Sequence, residues 1–178
     1  TDKYKIWRLE ARYVAETGLA VEGLYSFARR PGGQDRTTAQ GIVGWRGKTF
    51  RVSGQYLRQK RQRVNAAGDD QTIEITSGFA YWEFAPRKAD VFLRLDDVRG
   101  KLAGVPTGLP GADGIDYWIL SPQQPFKTWI VGGEYFLLPA IRVSPNLELV
   151  KYASDPDPTQ FPGRDEDRIL RVTFFWSW

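Results

Sequence analysis

The sequence predicts an all-β fold, an antiparallel up-and-down transmembrane β-barrel. Three observations predict it: apolar residues alternate with polar ones along nearly every segment, connections alternate between short and long, and aromatic rings gather toward both ends of the apolar face. The pattern is clearest in Arg168-Ile-Leu-Arg-Val-Thr-Phe-Phe-Trp-Ser-Trp178. Successive strand side chains point oppositely, so Leu170, Val172, Phe174, Trp176 and Trp178 share one face while Arg171, Thr173 and Ser177 share the other.

Nine strands are expected, at 3–14, 18–30, 37–46, 49–62, 71–84, 88–97, 127–138, 141–152 and 167–178. The first sets Trp7, Leu9, Ala11 and Tyr13 against Arg8, Glu10 and Arg12. After Ala15 to Thr17, the second sets Leu19, Val21, Gly23, Tyr25 and Phe27 against Glu22. The third follows Pro31 to Arg36 and opposes Ala39, Gly41, Val43 and Trp45 to Arg46. Gly47-Lys48 leads into the fourth, with Phe50, Val52, Gly54 and Tyr56 opposite Arg51. Arg63 to Asp70 leads into the fifth, where Ile73, Ile75, Phe79 and Tyr81 are assigned to the apolar face and Glu74 to the charged one. Beyond Ala85 to Arg87 the sixth sets Val91, Leu93 and Leu95 against Asp90, Arg94 and Asp96. The stretch Val98 to Phe126 precedes the seventh, Trp129, Val131, Gly133, Tyr135 and Leu137 against Glu134. Pro139-Ala140 begins the eighth, Val143, Leu147 and Leu149 against Arg142 and Glu148, where Pro145 lacks a ladder donor and predicts a bulge. Ala153 to Glu166 then leads into the closing strand.

With the C-terminal residue at the periplasmic end, every short connection falls there and every long one at the other end, as in outer-membrane barrels. Aromatic rings belong at the two headgroup levels. Tyr13, Trp45, Phe50, Tyr81, Tyr135, Trp176 and Trp178 sit near the short turns, and Trp7, Phe27, Tyr56 and Trp129 near the long loops. The same outward parity carries Lys3, Lys5, Arg29, Arg58, Lys60, Lys127, Lys151 and Arg168 just above the upper girdle. Cations there are expected to meet lipopolysaccharide phosphates in the outer leaflet, so lipid and lipopolysaccharide are expected partners. Solvated strand ends whose lysines suppress edge pairing are the alternative.

Composition narrows the function. The 178 residues are 14% aromatic and 42% hydrophobic, enough for one ordered domain over 1–178. Cys, Met and His are absent, which removes disulfides, thiolate or imidazole metal sites and a histidine base, so an enzyme is not expected, nor any cofactor. The absence of an initiator Met and of a charged-then-apolar leader leads us to expect a mature secreted product or a piece of a longer chain. The mean hydropathy of -0.43 fits no transmembrane helix but does fit strands with one lipid face.

Trp129-Ile-Val-Gly-Gly-Glu-Tyr-Phe-Leu-Leu-Pro, then Ile141-Arg-Val-Ser-Pro-Asn-Leu-Glu-Leu, then a loop and the aromatic closing strand resemble the C-terminal part of Gram-negative outer-membrane porins. The resemblance is to an architecture rather than a signature, and it covers essentially the whole chain. It implies a bacterial outer-membrane location, an assembly signal at Trp176 and Trp178 read by the barrel assembly machinery, and a homotrimer as the common arrangement. Single-chain bacterial barrels close with an even strand number, so nine strands point to the C-terminal portion of a larger barrel. Gly114 to Leu120 is either a tenth strand or part of a long loop.

The expected function is passive diffusion of small hydrophilic solutes or ions through a charged lumen. Arg8, Arg12, Arg46, Arg51, Arg94, Arg142 and Arg171 face Glu10, Glu22, Glu74, Asp90, Glu134 and Glu148, a near balance that predicts weak anion preference. Two other readings fit the same alternation. One is a non-conducting barrel filled by ion pairs and serving as an anchor or assembly partner. The other is a soluble β-sandwich or lipocalin-like binding protein, with the apolar face as its core. Nucleic acid is not expected: the basic run Arg58 to Arg63 straddles a strand end, so its side chains diverge and lack aromatic interleaving. Gly104 to Gly114 lacks the Gly-Lys-Ser/Thr ending of a phosphate loop. Asp155, Asp157, Asp165, Glu166 and Asp167 have oxygen ligands of the kind calcium takes, but solvated loop acidity is the simpler reading.

Overall fold

The computed structural model describes residues 5–29, 33, 35–62, 70–86, 88–100, 125–138, 140–153 and 165–176. Nine strands form one sheet in sequence order, each antiparallel to the next. They are β1 (Ile6–Val14), β2 (Leu19–Ala28), β3 (Arg36–Arg46), β4 (Phe50–Arg61), β5 (Gln71–Ala85), β6 (Ala89–Arg99), β7 (Phe126–Leu138), β8 (Ile141–Tyr152) and β9 (Glu166–Trp176). The expected strands all appear, with ends displaced by a few residues. Lys3, Trp178, Asp155, Asp157, Gly104 to Gly114 and Gly114 to Leu120 lie outside the described residues.

The sheet curves. Along β2, Leu19, Val21, Gly23 and Tyr25 are exposed while Ala20, Glu22, Leu24 and Ser26 are half-buried, a difference between two faces that a flat isolated sheet would not produce. The apolar face is convex: Trp7 and Leu9 are 68% and 71% exposed, Leu170 and Phe174 75% and 72%. Among the described residues β1 pairs only with β2 and β9 only with β8, so the sheet is open. An 11-residue strand such as β3 is ~37 Å long at ~3.4 Å per residue and, tilted by ~45°, spans ~26 Å, the height of an outer-membrane barrel's apolar band.

Tight turns hold one end of the sheet. Ala15 N–H donates to Leu19 O (2.8 Å) and Gly18 N–H to Ala15 O (3.0 Å), with Gly18 at φ +88°. A Cβ on Gly18 would lie 2.1 Å from the Arg46 carbonyl oxygen, so both the backbone conformation and the space demand glycine. Trp45 Nε1–H donates to Thr17 O at 3.2 Å and fastens the next strand to this turn.

Two expectations are corrected. The first concerns the faces of β5. Arg58 lies opposite Glu74, Tyr56 opposite Thr76 and Phe50 opposite Trp82, and directly opposed residues share a face. Thr72, Glu74, Ala80 and Trp82 are therefore convex, while Ile73, Ile75, Phe79 and Tyr81 lie on the concave face beside Arg51 and Leu57. The second concerns Pro145, where no bulge forms: it pairs with Val172 on β9, and on the β7 side the ladder passes from Gly132–Asn146 to Tyr135–Val143 without a change of register, skipping the pairs at Ser144 and Pro145; the register shifts fall instead between Phe136 and Leu138 and between Trp82 and Ala85. At Gly132 a Cβ would meet Phe92 Cζ at 2.6 Å and Asn146 Cβ at 2.7 Å, so the bare glycine lets the Phe92 ring lie across β7.

Candidate functional site

The concave face is the candidate site. Register follows one face from even positions of β1, β2 and β3 to odd positions of β4 and β5, even positions of β6, β7 and β8, and odd positions of β9. Arg8, Glu10, Arg12, Glu22, Arg46, Arg51, Asp90, Arg94, Glu134, Arg142, Glu148 and Arg171 share this face. Glu74 does not: it is convex and lies 3.5 Å from the Arg58 guanidinium.

Near the short turns a chain of contacts runs from β4 to β9. The Arg51 guanidinium carbon lies 4.9 Å from the centre of the Tyr81 ring. The Tyr81 hydroxyl donates to Asp90 Oδ2 at 2.5 Å. Asp90 is 2% exposed, and its Oδ1 has no hydrogen-bond partner among the described residues. Opposite Asp90 stands Glu134, which accepts from Arg142 Nη1 at 3.1 Å, and Arg142 in turn lies 4.2 Å over the Phe175 ring. Guanidinium groups stacked on aromatic faces keep their charge while losing mobility.

Midway along the strands, Arg94 Nε donates to Asp96 Oδ2 at 2.8 Å, and Arg171 lies 3.3 Å from Glu148. The arginines of β6, β8 and β9 named above thus each have an acid. On the other flank Arg46 and Arg51 face each other directly across β3 and β4, and neither has an ion-pair partner among the described residues; Arg12 has none there either. Like charges placed opposite one another disfavour the sheet, and Asp90 and Glu83, both close enough to Tyr81 to act on it together with Arg51, offset part of this pair's positive charge.

Toward the long loops the concave face of β5 to β8 carries an apolar cluster, while Arg36 faces Arg61 across β3 and β4 and Gln71 and Thr128 are buried nearby. Ile73, Val98, Phe126, Val150 and Tyr152 are all buried, with Ile75 packed against them. Phe126 and Tyr152 meet edge to face, centroids 6.3 Å apart, and the Tyr152 hydroxyl donates to Asp167 Oδ2 at 2.8 Å. The alternation ends one predicted strand at 97 and starts the next at 127, which gives Val98 and Phe126 no face, whereas the structure extends both strands over them. The parity that puts Tyr81 on the apolar face likewise hides its contact with Asp90, which only the β4–β5 register reveals.

At the convex margin near the long loops the register gathers Arg58, Lys60, Lys127, Lys151 and Arg168, with Lys5 and Arg29 linked there by the Arg29 N–H to Lys5 O bond (3.1 Å). The belt is mixed rather than purely basic. Asp70 lies 2.7 Å from Lys60, Glu166 lies 2.6 Å from Arg168 and Asp97 faces Lys127. Trp176 is convex, opposite Ile141, and 73% exposed. Among the described residues no group of three or more acids assembles into a metal site.

No family model and no curated protein matches the chain. Among solved structures it is similar to the NanC porin, determined in a rhombohedral crystal form, with a TM-score of 0.53 at 10% sequence identity over 98% of this chain and 94% of that one. At that identity the likeness is one of fold. The chain therefore has a porin-like β-barrel architecture: all-β, up-and-down and antiparallel, with a charged concave face and an apolar convex one.

Proposed function

We propose that the chain forms part of a porin-like channel of the bacterial outer membrane, through which small hydrophilic solutes or ions diffuse passively along the concave face. The observation that carries this reading is the separation of faces. Concave arginines and carboxylates oppose a convex face of exposed Trp, Tyr, Phe, Leu and Val far larger than soluble monomers present to water. Hydrocarbon covers such a face at no cost, and an aqueous lumen accommodates the charges. The β1 and β9 strands run in the same direction, so antiparallel closure takes an odd number of further strands; the nine are read here as a portion of a larger barrel. Lipopolysaccharide, the barrel assembly machinery acting on Trp176 and Trp178, and a homotrimeric arrangement belong to the same reading.

The positive charge left at Arg46 and Arg51 gives weak anion preference. The test is the reversal potential of the protein in planar bilayers under a KCl gradient. Arg46→Gln with Arg51→Gln is expected to move it toward cation selectivity. Channels whose selectivity ignores both substitutions would remove these residues from the path.

A second reading is favoured by the apolar cluster of Ile73, Val98, Phe126, Val150 and Tyr152, which occupies the concave face near the long loops. A barrel closed there would not conduct and would serve as an anchor or assembly partner. The same bilayers separate the two readings, since this one gives no conductance steps with folded protein.

A further inference from the structure

We infer that the convex face carries a lipid site: a groove across β1 to β4 that seats one acyl chain of lipopolysaccharide and presents a lipid A phosphate to Arg58. The inference rests on the outer-membrane reading above and names the partner of one part of that surface.

The groove has a volume of about 410 Å³ and its floor is made of Ala11, Gly23, Ala39 and Gly41, with Tyr25 and Tyr56 as walls. Register explains its course. Ala11 faces Gly23 and Gly23 faces Gly41, so three small residues stand in one row across three strands. Ala39 lies between Tyr25 and Arg58, one step toward the long loops. Neither Gly23 nor Gly41 has any heavy atom within 4 Å of where a Cβ would stand, so the depression is open space rather than a packed contact between strands. A run of glycines inside strands weakens a sheet unless something else packs there.

Charge identifies the occupant. At the upper end of the groove Ala39 lies opposite Arg58, whose side chain is 60% exposed and whose Glu74 partner is 3.5 Å away, a separation that leaves guanidinium donors for a second acceptor. Lys60 stands one outward position further along β4. Lys5 and Arg29, at the long-loop ends of β1 and β2, have no ion-pair partner among the described residues. An apolar channel that ends beneath Arg58, with Lys5 and Arg29 beyond it, fits a chain joined to a phosphate, and at the long-loop end of an outer-membrane barrel that lipid is lipopolysaccharide. A neutral lipid would leave Lys5, Arg29 and the spare donors of Arg58 unanswered, Lys60 being paired with Asp70 at 2.7 Å, and a second copy of this chain would set the same cations against each other across a two-fold interface.

The test is native mass spectrometry of the full chain in detergent, incubated separately with bisphosphorylated lipid A, dephosphorylated lipid A and phosphatidylglycerol. Wild type is expected to retain one bisphosphorylated lipid A and little of the other two. Filling the groove with Gly23→Leu and Gly41→Leu, which meets no neighbouring atom at Cβ, is expected to reduce retention roughly tenfold or more. Arg58→Gln is expected to reduce it about fivefold, the worth of ~1 kcal/mol for one cation near a charged surface. Unchanged retention in the groove variant, or equal retention of phosphatidylglycerol, would overturn the site. So would a two-copy species that the groove variant abolishes, which would make the groove an interface between copies. These failures leave the membrane reading standing if the protein still requires detergent; wild type that stays monodisperse without detergent would overturn both.

Discussion

Asp90 shows how much one carboxylate depends on its neighbour. It is buried, one oxygen accepts from Tyr81 and the other has no hydrogen-bond partner among the described residues, so its carboxylate leans on a single hydrogen bond. Tyr81→Phe is expected to destabilise the folded barrel by about 2–3 kcal/mol, because a hydrogen bond to a charged group is lost and the carboxylate stays behind. Tyr81→Phe combined with Asp90→Leu is expected to recover most of that loss, since removing both partners leaves nothing unsatisfied. Urea unfolding in detergent measures both. The charged residues were legible in the sequence because alternation alone sorts them: Arg8, Arg12 and Glu22 need no knowledge of pairing. The Tyr81 contact was not, because a cross-strand partner is fixed by register, and register follows from loop geometry that composition does not encode.

Among the elements, β5 is the instructive one. In the other strands the charges away from the long-loop margin fall on one parity, and their faces could be read directly. In Gln71-Thr-Ile-Glu-Ile-Thr-Ser-Gly-Phe-Ala-Tyr-Trp-Glu-Phe-Ala85 both parities hold large apolar residues, Ile73, Ile75 and Phe79 on one and Trp82 and Phe84 on the other. Glu74 is the one acid between Ile73 and Trp82, and it stands on the convex face, opposite Arg58. Trp82 and Phe84, 52% and 50% exposed with ring centroids 5.9 Å apart, take the girdle position assigned to Tyr81. The register makes a sharp prediction. Ala80, opposite Val52 and Leu93, lies on the convex face, so under the outer-membrane proposal Ala80→Arg is expected to cost about 2–4 kcal/mol in unfolding from lipid vesicles. Under the opposite parity the new arginine would enter the water-filled side and cost little.

The whole molecule is organised by two gradients on one sheet. From face to face the chain passes from apolar to charged, which was readable as period-two alternation. Along the concave face of β5 to β8 it passes from charged near the short turns to apolar near the long loops, which was not readable, because Val98, Phe126, Val150 and Tyr152 converge from strand ends far apart in sequence. This second gradient makes a prediction about permeation. Val150→Ala, which opens space in the cluster at a cost of about 1–3 kcal/mol, is expected to raise single-channel conductance in planar bilayers while leaving ion preference to Arg46 and Arg51.

The central claim is that water meets the concave face and hydrocarbon the convex one. Spin labels on single cysteines along β4 test it, and the native chain contains no cysteine to interfere. In proteoliposomes, labels at Ser53, Gln55 and Leu57 are expected to relax with a water-soluble nickel chelate, and labels at Val52, Gly54 and Tyr56 with oxygen dissolved in the hydrocarbon, the two responses alternating out of phase. Labels at Val52, Gly54 and Tyr56 closed to both reagents would mean a packed core, and the contradiction would be complete: a soluble sandwich in place of a barrel.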